Sequence, residues 1–203
     1  MFFLLCGFSY ILGTLPSGHI FAYLFKLGNL EKIGSGNAGA TNVLRTGNKV
    51  AAFLTLLFDA LKGVCAVKLI YFIPDLSVNS DILHAASIIF GAWAFLGHLY
   101  PIWYKFNGGK GVATYLGILF GLNFTFGIFG CILWLVGAFL SRISSIGALN
   151  MALLMPVLLL FADYNHFNIL ILASLSVILI FKHHPNIRRI INKTEPRIGQ
   201  SKA

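Results

Sequence analysis

Long apolar runs dominate this sequence, and they decide what it can fold into. Seven stretches, roughly residues 2–24, 50–73, 83–104, 111–121, 124–140, 145–161 and 166–181, carry very few charged side chains. About 18 such residues suffice to cross a bilayer as a helix, and inside lipid each backbone N–H and C=O must find its partner within the protein. With 58% hydrophobic and 10% charged residues, the chain has too little polar surface for a water-soluble domain. The expected fold is an all-α membrane protein, a helical bundle forming one polytopic domain over residues 1–203. The first stretch lacks a charged leader and a clear cleavage site, so it reads as a retained helix. Pro16 and Gly18 should kink it.

Charge placement fixes the expected number of crossings. Region 111–140 reads either as one long helix or as two short ones broken at Gly121-Leu122-Asn123. Two helices give seven spans and place Lys26, Lys32, Arg45, Lys49, Lys105, Lys110, Arg142 and the basic tail from Lys182 to Lys202 on one side. Asp75, Asp81 and Asp163 then fall on the other side. One helix would move Arg142 and the tail away from the other basic loops. Cytosolic loops are enriched in Lys and Arg, so the expectation is seven spans with the N-terminus outside and the C-terminus cytosolic. Span 111–121 is short and should be tilted or sheltered by its neighbours. The net charge of +9 fits this topology and also fits attraction of anionic lipids or phosphorylated substrates.

Two glycine-rich stretches fall on that basic side. Gly34 to Arg45 (GSGNAGATNVLR) holds three glycines, Ser35, Asn37, Thr41, Asn42 and Arg45 and no acid. Such a loop can turn backbone N–H groups toward an anion, with hydroxyls, amides and a guanidinium completing the cradle. Its bland reading is an ordinary cytosolic loop. Phe106 to Thr114 (FNGGKGVAT) places a glycine turn and Lys110 before a helix, where free N–H groups bind anions. It is not a nucleotide-binding P-loop, because position 104 is Tyr and no Ser or Thr follows the lysine.

The tail Lys182-His183-His184-Pro185-Asn186-Ile187-Arg188-Arg189 leaves the last span directly. Ile187, Ile190 and Ile191 share one helical face, which suits one or two short helices lying at the interface. Taken alone, His183 and Asn186 are more often helix-end decoration than catalysts. Glu195 is the one acid there and reads as a partner for a neighbouring Arg or Lys. Asp59 and Lys62, spaced i,i+3 inside a span, should pair, since a lone charge at that depth costs at least ~2.5–3.5 kcal/mol. His98 is placed to brace the second glycine loop. Ser144 and Ser145 begin a span as helix caps or as phosphate ligands. Cys6, Cys65 and Cys131 show no metal or redox spacing and read as buried thiols; no metal site or cofactor is expected. A transporter of phosphorylated solutes would also use basic loops and an intramembrane pair. It would be expected to centre its site between repeats, and no repeat is visible. A membrane scaffold would leave the cradles unexplained.

At these residues the chain resembles the PlsY family, the bacterial acyl-phosphate:glycerol-3-phosphate acyltransferases. The resemblance rests on GSGNAGATNVLRTG (Gly34 to Gly47), GHLYPIWYKFNGGKGVAT (Gly97 to Thr114) and KHHPNIRRIINKTE (Lys182 to Glu195), and covers nearly the whole chain. It implies transfer of a fatty acyl group from acyl phosphate to the 1-hydroxyl of glycerol 3-phosphate, giving lysophosphatidate and phosphate, the first step of phospholipid synthesis. By the same implication Ser35, Arg45, Lys110, His183 and Asn186 belong to the active site. Gly36, Asn37, Gly39, Thr41, Asn42, Gly108, Gly109, Gly111 and Ser145 would bind substrate, with Asp59, Lys62, His98 and Glu195 in support. The implied setting is the bacterial inner membrane, multi-pass, with the site facing the cytosol. The bilayer and an upstream enzyme that makes acyl phosphate are the implied partners, and nucleic acid is not. The hydroxyl proton would pass to His183 or to the substrate's own phosphate. Ser35 makes a poor acyl-enzyme nucleophile, because no Ser–His–acid constellation accompanies it.

Overall fold

A computed structural model describes residues 1–73, 79–162 and 164–199; Asp75, Asp163 and Lys202, used in the charge argument above, lie outside the described residues. Every expected stretch is helical. The first divides at Leu15-Pro16 into α1 (Phe2–Thr14) and α2 (Ser17–Leu24), because proline cannot donate to the helix ladder. A short helix α3 (Ala40–Leu44) closes the first glycine loop, followed by α4 (Lys49–Lys68) and α5 (Ser80–Leu99). Then come α6 (Val112–Leu122), α7 (Phe124–Ser141), α8 (Ser144–Leu159) and α9 (His166–Lys182). The chain then bends by 54° into α10 (His184–Ile191).

Region 111–140 is two helices. Asn123 breaks them with extended backbone (φ −155°, ψ 127°), and its Oδ1 caps α7 by accepting the N–H of Thr125 at 2.8 Å. By length and hydropathy, Phe2–Leu24, Lys49–Phe72, Ser80–Tyr104 and Phe124–Ser141 can each cross a membrane, with α9 and α10 together making a fifth such segment. Helices α6 and α8 are shorter apolar helices.

Short α6 is sheltered as expected, between α4 and α7. A Cβ on Gly117 would overlap the backbone of Ala60, and one on Gly63 would overlap the Thr114 carbonyl. Only glycine lets these two backbones touch, and the contact buries Tyr115, Ile118 and Leu119 completely. With Phe95, Leu99, Met151, Met155, Leu172 and Leu179 they form the central core of α5, α6, α8 and α9. Apolar residues elsewhere point outward, among them Phe3, Phe139, Leu140, Phe161 and Phe181, as lipid-facing helices require. Of the cysteines only Cys6 is buried: Cys65 faces outward on α4, and Cys131 is half-buried. The start of α6, the start of α8, the end of α9 and the first glycine loop open on one cavity.

Candidate active site

That cavity has a volume of about 340 Å³ and gathers Ser35, Arg45, Lys110, His183 and Asn186 from three separate stretches of chain. Its other end is apolar, lined by Leu56, Leu116, Trp134 and Leu135 between α4, α6 and α7.

The first glycine loop owes its shape to Asn42, which is 2% exposed. Its Oδ1 accepts from the Ser35 N–H at 3.0 Å, and the Ser35 hydroxyl and Arg45 Nη1 each lie 3.4 Å away. Its Nδ2 donates to the Leu30 carbonyl at 3.1 Å. The carboxamide is thus engaged mainly inside the loop, so Asn42 shapes the cradle while also lining the cavity. Asn37 likewise uses Oδ1 on the Gly39 N–H at 3.0 Å. Thr41 meets Ser144 hydroxyl to hydroxyl at 3.2 Å, linking this loop to α8.

Lys110 precedes Gly111, whose φ of +85° is left-handed and suits glycine alone at that turn. Helix α6 has no side-chain cap, so the N–H groups of its first turn stay available where Gly111, Val112 and Ala113 line the cavity. The N-terminus of α8 behaves the same way. Its N-cap is Ile143 rather than a serine, and Ser144 and Ser145 both line the cavity, so the capping reading of these serines does not hold.

Across the cavity, Glu195 organises the tail. Oε1 accepts from Asn186 Nδ2 at 2.6 Å and from Ser145 Oγ at 2.7 Å, and Oε2 accepts from Arg189 Nε at 2.6 Å. Its expected Arg partner is thus Arg189, and two further donors share it. Orienting the Asn186 amide toward Glu195 leaves Asn186 Oδ1 buried with no hydrogen-bond partner among the described residues. His183 is 2% exposed; its Nδ1 donates to the Leu179 carbonyl at 2.8 Å, which makes Nε2 the accepting nitrogen.

Burial pushes Lys110 down to about 8, reinforced by Arg189 and Arg45 and opposed by Glu195. Burial likewise pushes His183 down to about 4, with Lys110 adding to the effect, so the ring is neutral at pH 7. Burial alone would raise Glu195, but hydrogen bonds from Asn186, Arg189 and Ser145 hold it below the usual carboxylate range. Arg45, Lys110 and Arg189 against one carboxylate leave an excess of positive charge for an anion.

A second, larger cavity of about 500 Å³ adjoins the first, and Ser35, Asn37, Asp59 and His98 line both. Gly36, Gly108 and Gly109 face the second cavity alone, so the expected glycine set divides between the two. The wall between them holds the expected intramembrane pair: Lys62 Nζ lies 2.6 Å from Asp59 Oδ1, with both side chains nearly fully buried. His98 Nδ1 is 3.5 Å from the same oxygen, and a Cβ on Gly109 would strike the His98 ring, which is the bracing expected of it. Ser17 was missed by sequence reasoning. It donates to Asp59 at 2.8 Å across the Pro16 kink, and a hydroxyl just past an intramembrane proline was its only signal. Trp134 was missed as well, since one aromatic in an apolar span carries no mark of its direction.

Residues 3–193 match the family model described as glycerol-3-phosphate acyltransferase. Among curated relatives, the glycerol-3-phosphate acyltransferase of Bartonella quintana is 47% identical over 191 residues, covering 94% of this chain and 89% of its own. That of Cereibacter sphaeroides is 48% identical over 192 residues, covering 95% and 87%. Among solved structures, PlsY, an integral membrane glycerol 3-phosphate acyltransferase, aligns in its glycerol 3-phosphate form with a TM-score of 0.87, at 31% identity and covering 98% of this chain and 96% of its own. Its lysophosphatidic acid form aligns with a TM-score of 0.84 at 29% identity, covering 98% and 95%.

Proposed function

The chain belongs to the PlsY family of glycerol-3-phosphate acyltransferases, integral membrane proteins, and on that footing we propose that it transfers a fatty acyl group from acyl phosphate to the 1-hydroxyl of sn-glycerol 3-phosphate. The products are lysophosphatidate and inorganic phosphate, and the reaction opens phospholipid synthesis. The observation that carries this reading is one cavity with a cationic, donor-rich end and an apolar end between helices. Both reactants bring a phosphate, and one brings a long acyl tail. The whole chain forms one domain of seven spans in the bacterial inner membrane, with its N-terminus outside and both the site and the C-terminus cytosolic. An upstream enzyme supplies the acyl phosphate.

Arg45, Lys110, the Ser35 hydroxyl and the uncapped N-termini of α6 and α8 hold the phosphates and stabilise the tetrahedral oxyanion. The glycerol oxygen attacks the acyl carbon, the bond from that carbon to the bridging oxygen breaks, and phosphate departs with the electron pair. His183 Nε2 and Asn186 Oδ1, both hydrogen-bond acceptors, align the attacking hydroxyl, and orientation supplies much of the rate. A ring whose pKa lies near 4 holds a proton less firmly than a phosphate dianion, with pKa about 6. The proton therefore finishes on the departing phosphate, and His183 orients rather than stores it. The mixed anhydride is an activated donor, so no strong protein base is required.

Purified protein offered glycerol 3-phosphate with acyl phosphate, acyl-CoA or acylated carrier protein tests the assignment. Lysophosphatidate should form with acyl phosphate alone, in detergent and with no sealed membrane. Turnover with a thioester donor in preference to acyl phosphate overturns the donor assignment, and no turnover in detergent overturns the enzyme reading in favour of transport.

A further inference from the structure

The end of α5 suspends the second glycine loop. Its last two carbonyls accept main-chain donors from that loop: His98 O takes the Gly109 N–H at 3.0 Å, and Leu99 O takes the Gly108 N–H at 3.2 Å. Lys110 follows directly. Leu99 O has a second partner, the ammonium of Lys182 at 3.0 Å, which also lies 4.0 Å from the centroid of the Tyr100 ring. Lys182 is the last residue of α9 and the neighbour of His183, where the chain bends by 54° into α10. One carbonyl oxygen thus joins a donor from the loop that presents Lys110 to a donor from the helix that presents His183.

We propose that Lys182 is a positioning residue that bolts the end of α9 to the end of α5 and so fixes the separation between His183 and Lys110. Lys182 does not line the cavity, so it acts on the reaction through these two neighbours. The carbonyl and the aromatic face constrain the ammonium from two directions, a hydrogen bond and a cation–π contact. The ring of His183 is already tied to α9 through the Leu179 carbonyl, so what Lys182 adds is a tie between that helix end and α5. The inference rests on the reading of the cavity as the reaction site.

Three variants test it: Lys182→Met, which keeps the stem and removes the charge and donor; Lys182→Arg, which keeps both; and Tyr100→Leu, which removes the ring. Lys182→Met should lower turnover roughly 10–100-fold with a smaller change in KM, as expected when reacting groups are misplaced by about 1 Å. Lys182→Arg should recover most of the loss, and Tyr100→Leu should show a smaller loss in the same direction. A second readout needs no turnover: spin labels at Asn107→Cys and His184→Cys, in a background without Cys6, Cys65 and Cys131, should report a wider distance distribution in Lys182→Met than in Lys182→Arg. Wild-type kinetics and an unchanged distribution in Lys182→Met overturn the proposal, as does a Lys182→Arg variant as impaired as Lys182→Met. If Lys182→Met does not fold, Tyr100→Leu decides, and wild-type behaviour there overturns the proposal. An inactive wild-type protein would refute the reaction instead, while the label distances would still test the bolt.

Discussion

Glu195→Gln changes one side chain from a charged acceptor to a neutral group with one oxygen and one NH2. In the wild-type protein all three partners of Glu195 donate: Asn186 at 2.6 Å, Arg189 at 2.6 Å and Ser145 at 2.7 Å. A glutamine cannot satisfy all of them. With its oxygen toward Asn186 and Ser145, the NH2 opposes Arg189 Nε; turned around, it opposes Asn186 and Ser145. The milder choice still loses one charge-assisted hydrogen bond, worth about 1.5–3 kcal/mol, from a side chain that is 5% exposed. At about 2–4 °C per kcal/mol for a chain of this size, thermal unfolding in detergent should fall by roughly 3–12 °C. Turnover should fall as well, because the charged acceptor is what fixes the orientation of the Asn186 amide at the cavity. The same variant predicts a pH effect with a definite sign. The folded-state pKa of Glu195 is depressed, so its contribution to stability is present above the ordinary carboxylate range and lost as pH falls through the lower folded value. Wild type should thus lose stability on acidification more steeply than Glu195→Gln. A variant with wild-type melting temperature and turnover would refute the claim that this carboxylate organises the site.

Lys110, held near 8, loses its charge as pH rises through that value. Affinity for glycerol 3-phosphate should weaken above about pH 8, and Lys110→Arg, which stays charged, should flatten that limb of the KM profile; an unchanged limb argues against Lys110 as the phosphate contact. His183→Ala should cost about 100-fold in kcat through lost orientation of the hydroxyl, read from initial rates. Because the ring titrates near 4, the wild-type rate should show no inflection from it between pH 5 and 8. An acid limb near pH 6–7 that disappears in His183→Gln would contradict that. Asp59→Asn strands the Lys62 charge beside it and should destabilise by about 3–5 kcal/mol in a melting assay, whereas Asp59→Leu with Lys62→Met together should recover much of that loss.

The helices were legible in the sequence because an apolar run in lipid has few alternatives, and the break at Asn123 was legible because an unbroken helix would have parted Arg142 and the tail from the other basic loops. The two loops stood out as candidate anion cradles because they join glycines, hydroxyls and a basic residue without an acid, and residues of both line one cavity. The i,i+3 spacing of Asp59 and Lys62 showed their pairing. What stayed hidden was convergence. Nothing local in Ser145 or Glu195 says that they meet across 50 positions, nor that Ser17 reaches Asp59 across 42. The division of Gly36, Gly108 and Gly109 into a separate cavity follows from how α5 and the Pro16 kink pack, which no spacing within a loop encodes. Asn42 looked like a ligand because an asparagine among glycines often is one. Its bond to the Leu30 carbonyl also makes it the keystone of its own loop, a role that no local pattern announces.

The central claim is that one cavity brings two phosphorylated reactants together and joins them. The direct measurement is a stoichiometric one on purified wild-type protein in detergent, following inorganic phosphate and lysophosphatidate in the same tube before and after glycerol 3-phosphate is added. The account predicts little phosphate release before addition and equimolar phosphate and lysophosphatidate afterwards. Steady phosphate release that ignores glycerol 3-phosphate, with no lysophosphatidate formed, would contradict it.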